Sequence, residues 1–496
     1  MSPALIAVAV MSSIVGMASF VGLYAGSHHK MDLEQWAVGG RRFGLLLVWL
    51  LMAGEIYTIF TFLGTSGWAY SRGGPALNIL GYSPLIYVVS FYTLPPIWEV
   101  GQKHRLQTQA DLFQVRYGSK YLAGFVALIG VVSLLPYSQA QITGLGIIVE
   151  FASFGGIHRT PAIVIAFILV GAFVLVSGVR GVAWVSVIKD VLLLFTAVFV
   201  GIAVPYIHFG GIGRMFDALA KARPGHLVMP GATRDLGHTW YISTVLVVSF
   251  GLYMWPHCFA ATFTARSGNI LRRNAVLLPL YSITMPLVFF VGFAAVLVLP
   301  GLSNGDMAVL AMVRKTFPPW FLGVVGAAGA LTAMVPVAMQ LVAAATLFAK
   351  NLFRPILAPQ MSDRQVARLA KVMVFVLSSI AMFIAVHSSA SVVSLVLLGL
   401  AGVAQLFPAV VLGLFSRRVT TSGVFAGVGT GIFVAAFLTL TGRDPYRGFN
   451  AGFIALCFNT IVTAIVSALT PVRIAGFEET LPTFATPQSP SGAHLT

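Results

Sequence analysis

Long apolar runs separated by short polar segments dominate this chain. Each run is long enough for a helix to cross the hydrocarbon core of a bilayer, and the pattern predicts about thirteen of them. Their expected bounds are 3–26, 44–71, 80–98, 121–153, 160–179, 183–207, 240–262, 274–299, 319–349, 368–387, 391–415, 419–441 and 449–471. The sequence therefore predicts an all-α polytopic membrane protein.

Two of these runs, 44–71 and 240–262, are interrupted by residues that favour a break in a helix. The interrupting residues are Gly54, Glu55 and Gly64 in the first run, and Gly251, Trp255, Pro256 and His257 in the second. Hydrocarbon offers no hydrogen-bond partner, so the backbone freed at a break must line a cavity or bind a ligand. Paired broken spans in two halves of a chain are typical of secondary transporters and indicate the binding site.

Composition supports the membrane assignment and limits the partners. Of the 496 residues, 58% are hydrophobic and 9% are charged, which is too little polar surface for a soluble fold. The net charge of +16 follows from the positive-inside rule, because most of the 30 Lys and Arg face the cytoplasm if the N-terminus is outside. We therefore expect contact with membrane lipid, no nucleic acid, an outer N-terminus and a cytoplasmic C-terminus.

We expect one transmembrane domain, 1–476, followed by a disordered cytoplasmic tail, 477–496, that is rich in Pro, Ser and Thr. The histidines are scattered, and we find no cluster with the spacing of an enzyme site or a metal site. A channel would need a filter loop or a ring of like charges, and neither is visible. No enzyme activity, metal or cofactor is expected beyond a coupling ion. The sequence leaves the oligomeric state open.

Five groups of residues, in chain order, resemble motifs of the sodium:solute symporter family. They are 31–44, 108–113 with 116–118, 136–137 with Gln141 and Gly144, 178–181 with Trp184, and 413–418. The resemblance implies the leucine-transporter fold, with two inverted five-helix repeats at about 44–207 and 240–415, in a bacterial-type plasma (inner) membrane. The segments 41–44 and 57–58 are most similar to the monocarboxylate permease branch.

The expected cargo is a small organic acid moved by alternating access. Helix N-termini at the breaks favour a carboxylate, and freed carbonyls favour a cation. A monocarboxylate such as lactate, pyruvate or a short-chain acid fits best; a sodium-coupled neutral amino acid symporter, similar to proline or alanine carriers, is the alternative. The candidate substrate-binding residues are Glu55, Tyr57, Thr58, Tyr137, Gln141, Trp255, His257 and Gln405.

The coupling ion is expected to be a proton, with sodium as the alternative. Sodium-coupled members of the family carry two adjacent hydroxyl residues in the ninth span, where this chain has Val335 and Pro336. A hard cation needs about five or six oxygen ligands, so the usual sodium site is disabled. Lys189 could place its ammonium at the vacated position, and Lys189 and Glu55 are the ion-coupling candidates. Two alternatives stay open: Lys189 could extend to the cytoplasmic headgroups, and the neighbouring Asp190 could be a cytoplasmic cap.

Overall fold

The computed structural model describes residues 1–27, 33–233 and 235–471, and this part of the chain is a bundle of helices. Ten helices in it are long and apolar enough to cross a membrane, and two bent helix pairs add two more crossings. A shorter apolar helix, Arg159–Val174, occupies the position of one further predicted span. The predicted polytopic helical architecture is confirmed, while the predicted tail 477–496 lies outside the described residues.

The helices are numbered in chain order. They are α1 Pro3–Ser27, α2 Leu33–Val38, α3 Leu45–Ile56, α4 Thr65–Ser71, α5 Asn78–Lys103, α6 Gln109–Tyr117, α7 Lys120–Ala152, α8 Arg159–Phe209, α9 Ile212–Ala222, α10 His238–Gly251, α11 Pro256–Thr262, α12 Gly268–Tyr281, α13 Thr284–Val298, α14 Ala308–Thr316, α15 Pro319–Thr346, α16 Arg354–Leu357, α17 Asp363–His387, α18 Val392–Val403, α19 Phe407–Phe415, α20 Thr421–Leu440 and α21 Ala451–Leu469. Two spans expected to be separate, 160–179 and 183–207, share the helical element α8, whose 51 residues exceed what one crossing requires.

Both predicted broken spans are present. The helix Leu45–Ile56 meets Phe60–Ser71 at a bend of 52°, and His238–Met254 meets Pro256–Thr262 at 57°. In the second span Trp255 takes an extended conformation (φ −58°, ψ 128°) before Pro256 starts α11. Proline disfavours a helical residue before it and suits the first position of a helix. The local sequence Trp-Pro therefore sets this break.

The first break lies one turn later than the sequence indicates. Gly54 and Glu55 remain inside α3, and the helical conformation is lost at Tyr57 (φ −93°, ψ 84°). A Cβ atom placed on Gly54 would lie 3.2 Å from Ser186 Oγ and 3.3 Å from Lys189 Nζ. Gly54 therefore permits close approach of α8 instead of breaking the helix, which is a common use of glycine in membrane bundles.

The broken spans lie against the most buried helix of the bundle. The span that contains α15 is 94% buried, whereas those of α17 and α21 are 33% buried and expose apolar side chains outward. Helix α15 packs against α1, α7, α8 and α17, and also contacts α3 and α11 of the two broken spans. The breaks are thus held between α7, α8 and α15, away from the outer surface of the bundle.

Candidate functional site

Helix α7 holds the first break through two side chains one turn apart. Gln141 Oε1 accepts a hydrogen bond from the amide of Ile59 at 3.4 Å, and the hydroxyls of Tyr137 and Thr58 are 3.4 Å apart. The Thr58 hydroxyl also accepts the amide of Phe60 at 3.2 Å. The i, i+4 spacing that put Tyr137 and Gln141 on one helix face thus brings both to the unwound backbone.

Glu55 and His257 form a buried pair between the two broken spans. His257 Nε2 lies 3.6 Å from Glu55 Oε2, and the two side chains are 0% and 1% exposed. Neither carboxyl oxygen and neither ring nitrogen has a hydrogen-bond partner in the described structure. Buried polar groups are normally hydrogen-bonded, and an exception calls for an explanation. Four unpartnered atoms at one place are typical of a site that receives a ligand.

Aromatic rings cover one side of this pair. The Tyr137 ring lies 4.7 Å from the Trp255 ring and 5.6 Å from the His257 ring, and Trp255 and His257 are 5.9 Å apart, all between centroids. Trp255 is only 1% exposed. The pair is therefore bordered by apolar surface, which excludes water and suits the carbon part of a small solute.

Lys189 lies at the first break, not at the membrane surface. Its side chain is fully buried, with Nζ 2.8 Å from Asp190 Oδ1 and 3.4 Å from the carbonyl oxygen of Tyr57. Asp190 is also fully buried, and its Oδ1 accepts the hydroxyl of Tyr281 at 2.9 Å. The alternative in which Lys189 extends to the headgroups is therefore wrong. So is the alternative in which Asp190 is a cytoplasmic cap, because it lies within α8 and pairs internally.

The ammonium of Lys189 and the side chain of Val335, one of the two positions predicted to have lost a sodium ligand, both lie against Gly54. The same Cβ atom placed on Gly54, 3.3 Å from Lys189 Nζ, would lie 3.6 Å from Val335 Cγ1. Val335 and its neighbour Pro336 are buried inside α15 and present no side-chain oxygen. Ser186 Oγ, also near Gly54, donates to the carbonyl of Val182 at 3.0 Å. A positive charge fixed to the protein therefore lies where α3, α8 and α15 meet.

Two sequence-predicted residues direct their side chains elsewhere. The Tyr57 hydroxyl bonds Tyr87 and Ser282, each at 2.7 Å, so only the carbonyl of Tyr57 faces Lys189. The side-chain amide of Gln405 donates to the backbone carbonyl of Gly452 at 3.2 Å, and the backbone carbonyl of Gln405 accepts the side-chain amide of Asn459 at 2.6 Å. The structure thus ties the Gln405 side chain to α21, although the neighbouring Ala404 packs against Gly251 near the second break.

Sequence reasoning missed Tyr281 as the partner of Asp190. Its ring also lies 4.3 Å from that of Tyr57, so it joins the ion pair to the first break. The available signal was the polar pair Tyr281-Ser282 inside an otherwise apolar run. Such a pair at the centre of a span needs a partner within the protein.

A helical bundle with two spans broken side by side, and ionisable side chains buried at the breaks, defines a secondary transporter. The family model of the sodium:solute symporter family matches residues 36–431. The chain is 40% identical over 477 residues to "Uncharacterized symporter YhjB" of Bacillus subtilis, covering 94% of this chain and 97% of that one. The chain belongs to the sodium:solute symporter family, and it is a multi-pass membrane transporter, not an enzyme.

Two further comparisons concern cargo and fold. The "Monocarboxylate transport permease protein" of Rhizobium johnstonii is 27% identical over 487 residues, covering 94% of this chain and 97% of its own length. The substrate-bound, outward-open structure of a Na+-coupled sialic acid symporter matches with a TM-score of 0.77 and 19% identity, covering 94% of this chain and 98% of that one. The latter likeness confirms the leucine-transporter fold; the bounds 44–207 and 240–415 for its repeats remain a prediction.

Proposed function

We propose that this protein is a proton-coupled symporter that takes up small monocarboxylates, such as lactate, pyruvate or a short-chain acid. It would lie in a bacterial plasma (inner) membrane with the N-terminus outside and the C-terminus in the cytoplasm. The observation that carries the proposal is the buried ammonium of Lys189, which lies 3.4 Å from the Tyr57 carbonyl and borders Gly54, as Val335 does. A tethered positive charge at this place removes the need for a bound sodium ion.

The cargo assignment draws on the polarity of the pocket and on one relative. A carboxylate bound next to Glu55 and His257 would satisfy unpartnered polar atoms, and the rings of Tyr137 and Trp255 would cover its short carbon chain. The name of the Rhizobium relative, at 27% identity, supports the same class of cargo. An acid of a few carbons suits a buried site that is covered on one side by aromatic rings.

A second candidate, a sodium-coupled symporter of neutral amino acids such as proline or alanine, is favoured by one feature. Both oxygens of the Glu55 carboxyl are unpartnered and buried. A carboxylate in that state is a suitable partner for the ammonium of an α-amino acid. The two candidates differ in both the cargo and the ion, so one uptake experiment separates them.

Liposomes that contain the purified protein would be loaded with each unlabelled solute to measure counterflow, and with buffer alone to measure accumulation. Labelled lactate, pyruvate, butyrate, proline and alanine would be compared under a proton gradient and under a sodium gradient. Monocarboxylate accumulation driven by an acidic exterior without sodium supports the proposal. Accumulation of proline or alanine that requires sodium would instead establish the alternative.

Replacing Lys189 with Gln tests the role of the ammonium. We expect K189Q to lose accumulation driven by the proton gradient, since the positive charge at the first break is gone. Lys221, exposed near the end of α9, provides the matched control, K221Q, and should behave as the unmodified protein. Unaltered proton-driven accumulation by K189Q would show that Lys189 has no part in coupling.

A further inference from the structure

The Glu55–His257 pair has a charge balance that bears on how many protons accompany each substrate. We propose that one proton enters with each carboxylate and that His257 carries it. In this scheme Glu55 and His257 share one proton when no substrate is bound, and they hold two protons when the carboxylate is bound. This inference rests on the proposed function, because it assumes an anionic cargo and a proton as the coupling ion. It assigns to one residue the step that the proposed function leaves unassigned.

The charged groups around the pair cancel one another. Lys189 and Asp190, both from α8, are joined at 2.8 Å and together contribute no net charge. Among the residues that the structure describes, Tyr137 from α7 and Cys258, which follows His257 in α11, also interact with Glu55. A phenol and a thiol buried among apolar groups are neutral. The net charge of the empty pocket is therefore set by the protons on Glu55 and His257.

One shared proton makes the empty pair neutral, whichever of the two side chains holds it. A carboxylate entering that neutral pocket would leave an uncompensated buried anion, which is strongly unfavourable. A second proton removes this penalty, because protonated Glu55 and an imidazolium at His257 together balance one carboxylate. Both side chains are then hydrogen-bond donors to the substrate, and the unpartnered Oε and Nε atoms acquire partners. Binding of the anion and uptake of one proton are thus the same event.

The two members of the pair are not equivalent in this scheme. In H257Q the only site for a proton is Glu55, which is already protonated in the neutral empty pocket, so no second proton can enter with the anion. In E55Q the empty pocket is neutral with an unprotonated imidazole, and His257 still gains one proton when the carboxylate binds. Coupling should therefore be lost in H257Q and kept in E55Q.

The test uses the full chain in liposomes with a proton gradient of about two pH units, which sustains about 100-fold accumulation when one proton accompanies each anion. We expect the lactate accumulation ratio to follow the proton gradient in the wild-type protein and in E55Q, although E55Q takes up lactate more slowly. H257Q should lose both lactate binding and accumulation, because the anion then enters a neutral pocket that cannot gain a second proton. His238, exposed on α10, provides the matched control H238Q, which should accumulate normally. Proton-driven accumulation by H257Q would overturn the proposal.

Two measurements on the wild-type protein keep the proposal testable if H257Q does not fold. A potassium diffusion potential should leave lactate accumulation unchanged, since a one-to-one proton and carboxylate symporter moves no net charge. Binding of lactate to detergent-solubilised protein in weak buffer should take up one proton per lactate, measured with a pH indicator dye. Accumulation driven by the membrane potential, or the absence of proton uptake on lactate binding, would refute the one-to-one symport of proton and carboxylate. Sodium-driven, pH-independent uptake would instead overturn the proposed function itself.

Discussion

The buried ion pair of Lys189 and Asp190 gives the sharpest test of the site by stability alone. Replacing Lys189 with Met removes the charge but keeps a similar length. Asp190 Oδ1 then retains only the Tyr281 hydroxyl, and its Oδ2 has no partner in the described structure. Removing one partner of a buried pair costs about 3–5 kcal/mol, because the remaining charge is left uncompensated. We expect K189M to lose this amount of unfolding free energy.

The double variant K189M/D190N removes both charges and leaves an amide that can accept the hydrogen bond from Tyr281. Replacing a buried pair by neutral groups is often nearly neutral for stability, so the double variant should recover most of the loss. The two single substitutions would then be non-additive, with a coupling energy of about 2–4 kcal/mol. Denaturant unfolding in mixed micelles, followed by tryptophan fluorescence, measures the whole cycle.

Arg354 and Asp363 provide a control ion pair with a similar distance between the charged atoms. Arg354 Nη1 lies 2.9 Å from Asp363 Oδ1, but the side chains are 33% and 80% exposed. Exposed pairs contribute about 0–1 kcal/mol, so R354M, D363N and their double variant should differ little. Equal coupling energies in the two cycles would contradict the argument from burial. Additive losses for Lys189 and Asp190 would show that the two side chains do not interact as a pair.

Two predictions concern acidic groups outside the spans. Burial raises the pKa of Asp306 to about 6 against the opposing hydrogen bond from the amide of Val392. Folding favours the protonated form of Asp306. Its contribution to the free energy of unfolding is therefore complete below about pH 4 and is lost as the pH rises through about 6. D306N should remove this pH dependence and add at most about 3 kcal/mol at pH 7, measured as Tm against pH. Burial raises the pKa of Asp111, but its contacts with Lys350 and Asn351 bring it below the usual value overall. Its stabilisation is therefore present at neutral pH and is lost in acid, as the pH falls from about 4 through the lowered pKa of Asp111. K350M should cost about 2–3 kcal/mol at pH 7 and progressively less below about pH 4, where Asp111 becomes protonated first in the unfolded and then in the folded state.

The sequence predicted the broken spans well because their causes are local. The Trp255-Pro256 step determines the backbone at its own position, and the spacing of Tyr137 and Gln141 puts them on one face whatever surrounds α7. Gly54 shows the limit of such reasoning. A glycine in a span either breaks the helix or permits close packing, and only the position of Lys189 identifies the second use.

Side-chain direction could not be predicted, because it depends on how each helix is rotated in the bundle. Nothing local indicates that the Tyr57 hydroxyl bonds Tyr87 and Ser282, or that Gln405 bonds α21. The same holds for Glu55 and His257, which lie far apart in the chain and meet only because α3 and α11 pack against each other. Residues that belong to one site through tertiary packing carry no shared signal in a single sequence.

A tethered ammonium at the first break also affects how α3 and α8 can separate during transport. A bound cation can dissociate and release the helices that it joins, whereas Lys189 stays attached to α8. Its hydrogen bond to the end of α3, with the Tyr57 carbonyl, is 3.4 Å long, while the 2.8 Å contact with Asp190 lies within α8. Charge-assisted hydrogen bonds are strongest near 2.7–2.9 Å. If α3 moves away from α8, the ammonium therefore loses only the weaker of these two polar contacts and keeps its carboxylate partner.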